Sequence, residues 1–144
     1  EKILKALEDI RRNNHKSLLF FFSLSMKQKI LVTGGAGFIG SNFCNLNKEK
    51  YNIVVLDNLL LGDRENLEEG IEFRKGDSCS AKDLEAIGKV DFILHLAGSS
   101  SAPMFLKEEG IADSYVNSVE SFVRVLDFAA KYKVKKVLYA STSS

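Results

Sequence analysis

The stretch from Lys29 to Gly40, KILVTGGAGFIG, limits what this chain can fold into more than any other. A short apolar run, Ile30-Leu31-Val32, reads as a buried strand. Gly34, Gly35 and Gly37 then form a turn, and a helical pattern opens at Phe38 and Ile39. Gly35, Gly37 and Gly40 satisfy G-x-G-x-x-G, while Gly34, Gly37 and Gly40 satisfy the variant G-x-x-G-x-x-G. A strand, a glycine turn and a helix N-terminus together make a phosphate cradle. Glycine lets the backbone turn tightly and approach a pyrophosphate, and the free N–H groups and dipole of the helix favour the anion.

The rest of the chain can support such a turn. Its 144 residues suit one domain with a sizeable core. A formal net charge of +1 gives no support to nucleic-acid or anionic-membrane binding. Cys44 and Cys79 lie far apart without a C-x-x-C pattern or a histidine at ligand spacing. Both are therefore expected to be reduced packing residues, and no metal site is expected. Residues 1–25 differ in character. Ile3, Leu4, Leu7 and Ile10 recur at helical spacing, a basic patch follows, and then comes SLLFFFSLS. The apolar run Leu18 to Leu24 is far short of the ~20 residues that span a membrane, so no membrane partner is expected. Basic residues, a short apolar run and Ser23-Leu24-Ser25 imitate a weak secretory signal, but a cofactor fold of cytoplasmic type follows at once. Met26 opens MKQKILVTGG as a start codon would. The expectation is a non-core extension over 1–25, a folded domain over 26–144 and a cytoplasmic location.

From Lys29 the chain alternates strand-like and helix-like segments. Strands are predicted at 29–33, 52–57, 71–75, 90–96 and 134–140. Helices are predicted at 38–49, 81–87 and 111–132, the first burying Ile39, Phe43 and Leu46. The last is expected to bury Tyr115, Val119, Phe122, Leu126 and Ala129. The second, fourth and fifth strands are continuously apolar, the pattern of strands covered by helices on both faces. That order predicts an α/β fold with a doubly wound parallel sheet of Rossmann type. Its ligand crevice lies beyond the carboxyl ends of the strands, between the first and the fourth, where the strand order reverses.

Asp57 gives the cradle an owner. It ends the second strand, 20 residues beyond Gly37. There a carboxylate accepts hydrogen bonds from the ribose 2′- and 3′-hydroxyls of an adenosine and repels a 2′-phosphate, which favours NAD over NADP. No G-x-x-x-x-G-K-[ST] is present to suggest a P-loop nucleotidase.

TGGAGFIG, then VVLDNLLLGDRENL, Gly76-Asp77 and His95-Leu96-Ala97-Gly98 follow one another in order. With these four motifs the chain, from about Lys27 to Ser144, resembles the extended short-chain dehydrogenase/reductase family. Within it, the resemblance is to the NAD-dependent nucleotide-sugar epimerases and dehydratases. The resemblance implies that the turn Gly34, Gly35, Gly37 and Gly40, with Phe38 and Ile39, holds the pyrophosphate of NAD. It implies that Asp57 and Asn58 hold the adenosine ribose, and that Asp77 with Ser78 contacts the adenine. The backbone of Leu96, Ala97 and Gly98 would line the way to the nicotinamide. Asn117 matches the asparagine of the family's N-x-x-G-T, although Glu120 and Ser121 stand where Gly and Thr are usual. It further implies a nucleotide-sugar substrate and a homodimer in the intact enzyme.

Tyr139 to Ser144, YASTSS, looks like the family segment after the fifth strand, which places Thr142 at the Ser/Thr position that hydrogen-bonds the substrate oxygen. A hydroxyl there can polarise a carbonyl and relay a proton during hydride transfer. Ser143 and Ser144 replace the acidic residues that dehydratases carry, which favours epimerase or oxidoreductase chemistry. The family's catalytic Y-x-x-x-K pair is expected beyond Ser144, with the sheet continuing there, so the 144 residues alone are not expected to turn over substrate. Tyr132 and Lys136 have that spacing, but they precede the fifth strand and read as part of a solvated basic helix end. His95 reads as a packed neighbour of the crevice. Two other readings share these residues: a non-catalytic dinucleotide-binding regulator, and a reductase of non-sugar carbonyls.

Overall fold

The computed structural model describes residues 27–98 and 111–141, the side chains of 111–116 excepted. The expected extension 1–25, Ser99 to Ser101 and Thr142 lie outside the described residues. In chain order come β1 (Lys29–Thr33), α1 (Phe38–Asn47), β2 (Asn52–Asp57) and a single 3-10 turn (Arg64–Asn66). Then follow β3 (Glu72–Lys75), α2 (Ala81–Glu85), β4 (Phe92–His95), α3 (Ile111–Tyr132) and β5 (Lys136–Tyr139). The strands form a sheet of order β3-β2-β1-β4-β5, with every neighbouring pair parallel. The chain builds outward from β1 to β3, then crosses back to place β4 on the other side of β1. The reversal predicted between the first and fourth strands is therefore where the fold has it.

Alternation within the apolar strands divides the core into two layers. Ile30, Val32, Ile53 and Val55 face α1, packing with Ala36, Cys44, Leu67 and Ile71. Leu31, Val54, Leu56 and Ile93 face the other way, against Leu84 and Ile87 and against Val125, Phe128 and Ala129 of α3. A strand buried on both faces needs apolar residues at every position, which is why β1 and β2 show no polar alternation. β5 departs from that expectation. Val137 is half-buried, while Leu138 and Tyr139 are exposed at the margin of the described sheet. Among the described residues no helix is long and apolar enough to cross a membrane.

Both long helices turn inward a face only partly the one their large apolar residues predict. α1 rests on Gly40, Ser41 and Cys44, with Phe43 packed at the edge of that layer, while Ile39 and Leu46 are exposed. Its N-terminus must approach the glycine turn closely, and only small residues allow that. α3 buries Ser121, Val125, Phe128 and Ala129, while Val119 and Leu126 are 46% and 42% exposed. Phe122 and Ala129 keep their expected side, and Tyr115 lies outside the described side chains. The helix carries two apolar stripes. The one that faces inward buries Val125, Phe128 and Ala129 in the core, and its serine, Ser121, meets the Ser78 hydroxyl at 2.6 Å.

Deleting a buried ring leaves a cavity, whereas trimming an exposed leucine leaves none. Phe128→Ala is expected to cost about 3–5 kcal/mol, and Leu46→Ala to stay within about 0.5 kcal/mol. Urea denaturation of the two variants checks the contrast.

Candidate dinucleotide-binding site

β1 delivers the chain into the glycine turn at the carboxyl edge of the sheet. Gly34 bends there with φ +69°, and its N–H donates to the Leu56 carbonyl of β2 at 3.0 Å. Gly35 sits against the side chain of Val55. Gly37 donates to the Gly34 carbonyl at 3.2 Å and then serves as the N-cap of α1, with no side chain to cap it. The first intrahelical bond runs from Ser41 N–H to the Gly37 carbonyl at 2.9 Å. The N–H groups of Phe38, Ile39 and Gly40 have no carbonyl one turn earlier to reach. A Cβ on Gly40 would lie 2.5 Å from the Gly34 oxygen, so a side chain there would push the helix off the turn. Phe38 and Ile39 are 85% and 68% exposed. An uncapped, solvent-facing N-terminus behind a turn free of side chains fits a diphosphate in both shape and sign.

Asp57 closes β2 directly beside that turn. Its Oδ2 accepts the Ala36 N–H at 2.9 Å, and its Oδ1 accepts the Leu59 N–H at 2.8 Å. The carboxylate is nearly buried, yet each oxygen keeps capacity for a further donor such as a ribose hydroxyl. Asn58 next to it is exposed, its Oδ1 accepting the Leu60 N–H at 3.0 Å. Leu59 between them adopts a left-handed φ of +63°.

The end of β3 adjoins the end of β2 through Gly76 N–H, which donates to the Asp57 carbonyl at 3.1 Å. Asp77 is oriented from two directions. Its N–H donates to Asp83 Oδ2 at 2.9 Å, and its own Oδ1 accepts the Cys79 N–H at 2.8 Å. Ser78 is buried, with its hydroxyl engaged by Ser121, so its backbone is what it can offer an adenine. Cys79 Sγ donates to the Asn117 carbonyl at 3.4 Å, leaving the Asn117 side chain exposed. Both cysteines are free thiols. Burial pushes Cys44 up to about 12 and Cys79, with help from Asp77, up to about 11, so neither is a ready nucleophile.

β4 supplies the opposite wall. Leu96 N–H donates to the Thr33 carbonyl at 3.0 Å. Ala97 runs so close to Gly34 that a Cβ on the glycine would sit 2.7 Å from its nitrogen, and Gly98 follows, exposed. His95 is fully buried, with Nδ1 2.6 Å from the Thr33 hydroxyl. Its ring lies near those of Tyr139 and Phe122, with centroids 5.5 and 6.1 Å away. Its Nε2 has no hydrogen-bond partner. This is the packed neighbour expected from the sequence. Tyr132 packs on Phe128, and Lys131 and Lys135 pair with Glu85 and Asp91.

The fold thus brings the glycine turn, Asp57, Asn58, Asp77, Ser78 and Leu96 to Gly98 together along one sheet edge. Two residues important to that edge go unread in the sequence, Gly62 and Asn66, and Ser121 registers there only as a departure from N-x-x-G-T. A glycine inside a polar connection marked Gly62. Ser121 stands at the threonine of N-x-x-G-T. Nothing periodic marked Asn66.

A doubly wound parallel sheet with this turn at its reversal point is a fold of the dinucleotide-binding α/β class. Over residues 30–144 the chain matches the NAD dependent epimerase/dehydratase family, and it belongs to that family. It is 31% identical over 120 residues to a UDP-glucose 4-epimerase of Azospirillum brasilense, covering 81% of this chain and 34% of that one. The UDP-glucose 4-epimerase of Thermotoga maritima, solved with UDP-glucose, superposes with a TM-score of 0.73 at 32% identity, over 79% of this chain and 38% of that one. The Thermus thermophilus UDP-glucose 4-epimerase, solved with NAD, gives 0.70 at 29% identity, over 79% and 37%. The chain therefore spans little more than a third of the proteins it matches.

Burial lowers the His95 pKa from 6.5 to about 4. The unfolded chain takes up that proton first. Stability held above the ordinary imidazole value is therefore lost as the pH falls toward the folded value. The thermal midpoint is expected to drop between about pH 6.5 and 4, and His95→Phe to flatten that slope in a pH series.

Proposed function

We propose that this chain forms the NAD-binding part of a nucleotide-sugar epimerase or oxidoreductase. The observation that carries this reading is the carboxylate of Asp57, bonded to the Ala36 N–H at 2.9 Å beside an uncapped helix N-terminus. One short span of surface thus offers donors for a diphosphate and a fixed acceptor for the neighbouring ribose. The amides of Phe38, Ile39 and Gly40 would hold the diphosphate, and Asp57 with Asn58 the ribose. Asp77 and the backbone of Ser78 would face the adenine, while Leu96 to Gly98, with Asn117 beyond, would border the nicotinamide end. NAD supplies a hydride acceptor for a sugar carbon when bound there. Thr142 would donate its hydroxyl hydrogen to the reacting sugar oxygen, or accept one from it.

The glucose nucleotides of the matched epimerases support a nucleotide sugar as the substrate. The absence of acidic residues at Ser143 and Ser144 supports epimerisation over dehydration. A homodimer is supported by the outer stripe of α3. There Val119, Val123 and Leu126 are each more than two-fifths exposed, at one-turn spacing.

Asp57 should also set the cofactor preference. Calorimetric titration is expected to show NAD binding at least tenfold tighter than NADP, because the carboxylate repels a 2′-phosphate. Asp57→Asn removes the charge while keeping the shape, and should narrow that gap by roughly tenfold. Equal or tighter NADP binding by the unmutated chain would sink the reading. In the full-length protein, assayed with UDP-glucose, Thr142→Val is expected to lower kcat by roughly a hundredfold, and an unchanged kcat would remove Thr142 from the chemistry.

A further inference from the structure

The connection from β2 to β3 returns to the glycine turn and grips it. Leu59 reverses the chain after Asp57, and its side chain packs against the α1-side core. Leu60 and Leu61 are exposed, and the backbone then comes back at Gly62. A Cβ there would lie 2.8 Å from the Ala36 carbonyl carbon and 3.0 Å from Gly37 N, so this approach is open only to glycine. Next, the Asp63 N–H donates to the Ala36 carbonyl at 3.1 Å. The Asn66 Nδ2 donates to the same oxygen at 2.9 Å.

The peptide joining Ala36 to Gly37 is thus fixed from both sides. Its carbonyl uses both lone pairs, and its N–H donates to the Gly34 carbonyl. The preceding peptide is held by Asp57 through the Ala36 N–H. Gly37 is the N-cap of α1, so this plane sets the direction in which the next amides point. Asn66 is itself anchored. Its N–H donates to the Asp63 carbonyl at 3.1 Å, and its carbonyl accepts from Asn45 Nδ2 of α1 at 2.9 Å. A donor fixed to the helix and aimed at the peptide before that helix removes the rotation that would scatter the anion-binding amides.

The geometry points to Asn66 as a positioning residue for the dinucleotide diphosphate: with Asp63 and Gly62 it locks the Ala36–Gly37 peptide so that the Phe38 and Ile39 amides face the anion without reorganising. This rests on the NAD-binding reading above. It gives the loop after β2 a role toward the diphosphate as well as toward the ribose. Preorganised donors strengthen binding because the ordering cost is met in the free protein.

The test uses the full-length protein as wild type, Asn66→Asp, Asn66→Ser and Asn45→Ala, each titrated with NAD by calorimetry alongside its thermal midpoint. Asn66→Asp sets a carboxylate against the Ala36 carbonyl and is expected to weaken NAD roughly tenfold. Asn66→Ser, which keeps a shorter donor, should weaken it by less. Asn45→Ala removes the anchor of Asn66 but leaves its donor on the Ala36 carbonyl, so it should lower the midpoint and weaken NAD by less than Asn66→Asp does. Amide NMR shifts of Phe38 and Ile39 should move in the free Asn66 variants and move less in Asn45→Ala. A wild type that does not bind NAD defeats the cofactor reading and this inference with it. A wild type that binds, with Asn66→Asp within about twofold of it or Asn45→Ala equally weakened, overturns the positioning role alone. Failure of both Asn66 variants to fold overturns it too, by reducing the contact to one of stability.

Discussion

The bond between the Asp57 carboxylate and the Ala36 amide is what the rest of the site depends on. It links residues 21 apart in sequence, tying the end of β2 to the turn that leaves β1. A carboxylate this buried is costly unless it is well hydrogen-bonded, and two backbone amides meet that need. Those same bonds fix the turn and start the loop that follows. One side chain therefore sets the conformation of two backbone segments while each of its oxygens keeps capacity for a further donor. Under the proposed NAD-binding role, the same atoms would carry both stability and recognition.

The parallel sheet explains why so many separate segments converge there. Each strand ends at the same edge, so the residues after β1, β2, β3 and β4 become neighbours regardless of sequence separation. Contacts across that edge are close. Gly34 touches Ala97, Gly76 bonds Asp57, and Ser78 bonds Ser121. The core beneath is divided between α1 on one face and α2 with α3 on the other, which leaves the edge itself free of packing duties.

The strands and the glycine turn were legible in the sequence because they rest on local signals: runs such as Ile53 to Leu56, and glycines at fixed offsets. The strand order followed from the alternation of strands and helices. Helix faces were less legible. Ile39 and Leu46 suggested one face of α1, but the need for close approach put Gly40, Ser41 and Cys44 inward instead. On α3 two stripes competed, and the inner one carries Val125, Phe128 and Ala129 into the core with Ser121 bonded to Ser78 in the turn after β3. His95 reads as packed in the sequence, and its stack with Tyr139 and Phe122 agrees. Asn66 had no such signal, since its bond reaches a backbone oxygen 30 residues away. Thr142 lies outside the described residues, so its place rests on sequence alone.

Leu59 shows how this arrangement is held in tension. A leucine at φ +63° strains the backbone by roughly 1–2 kcal/mol, which a glycine would avoid. The leucine instead spends its side chain as an anchor, lodged against the α1-side core. Position 59 therefore behaves like a pin through a hinge. A residue held in an uncomfortable dihedral keeps the loop from opening, and a more relaxed residue there would leave the turn without a fixed floor.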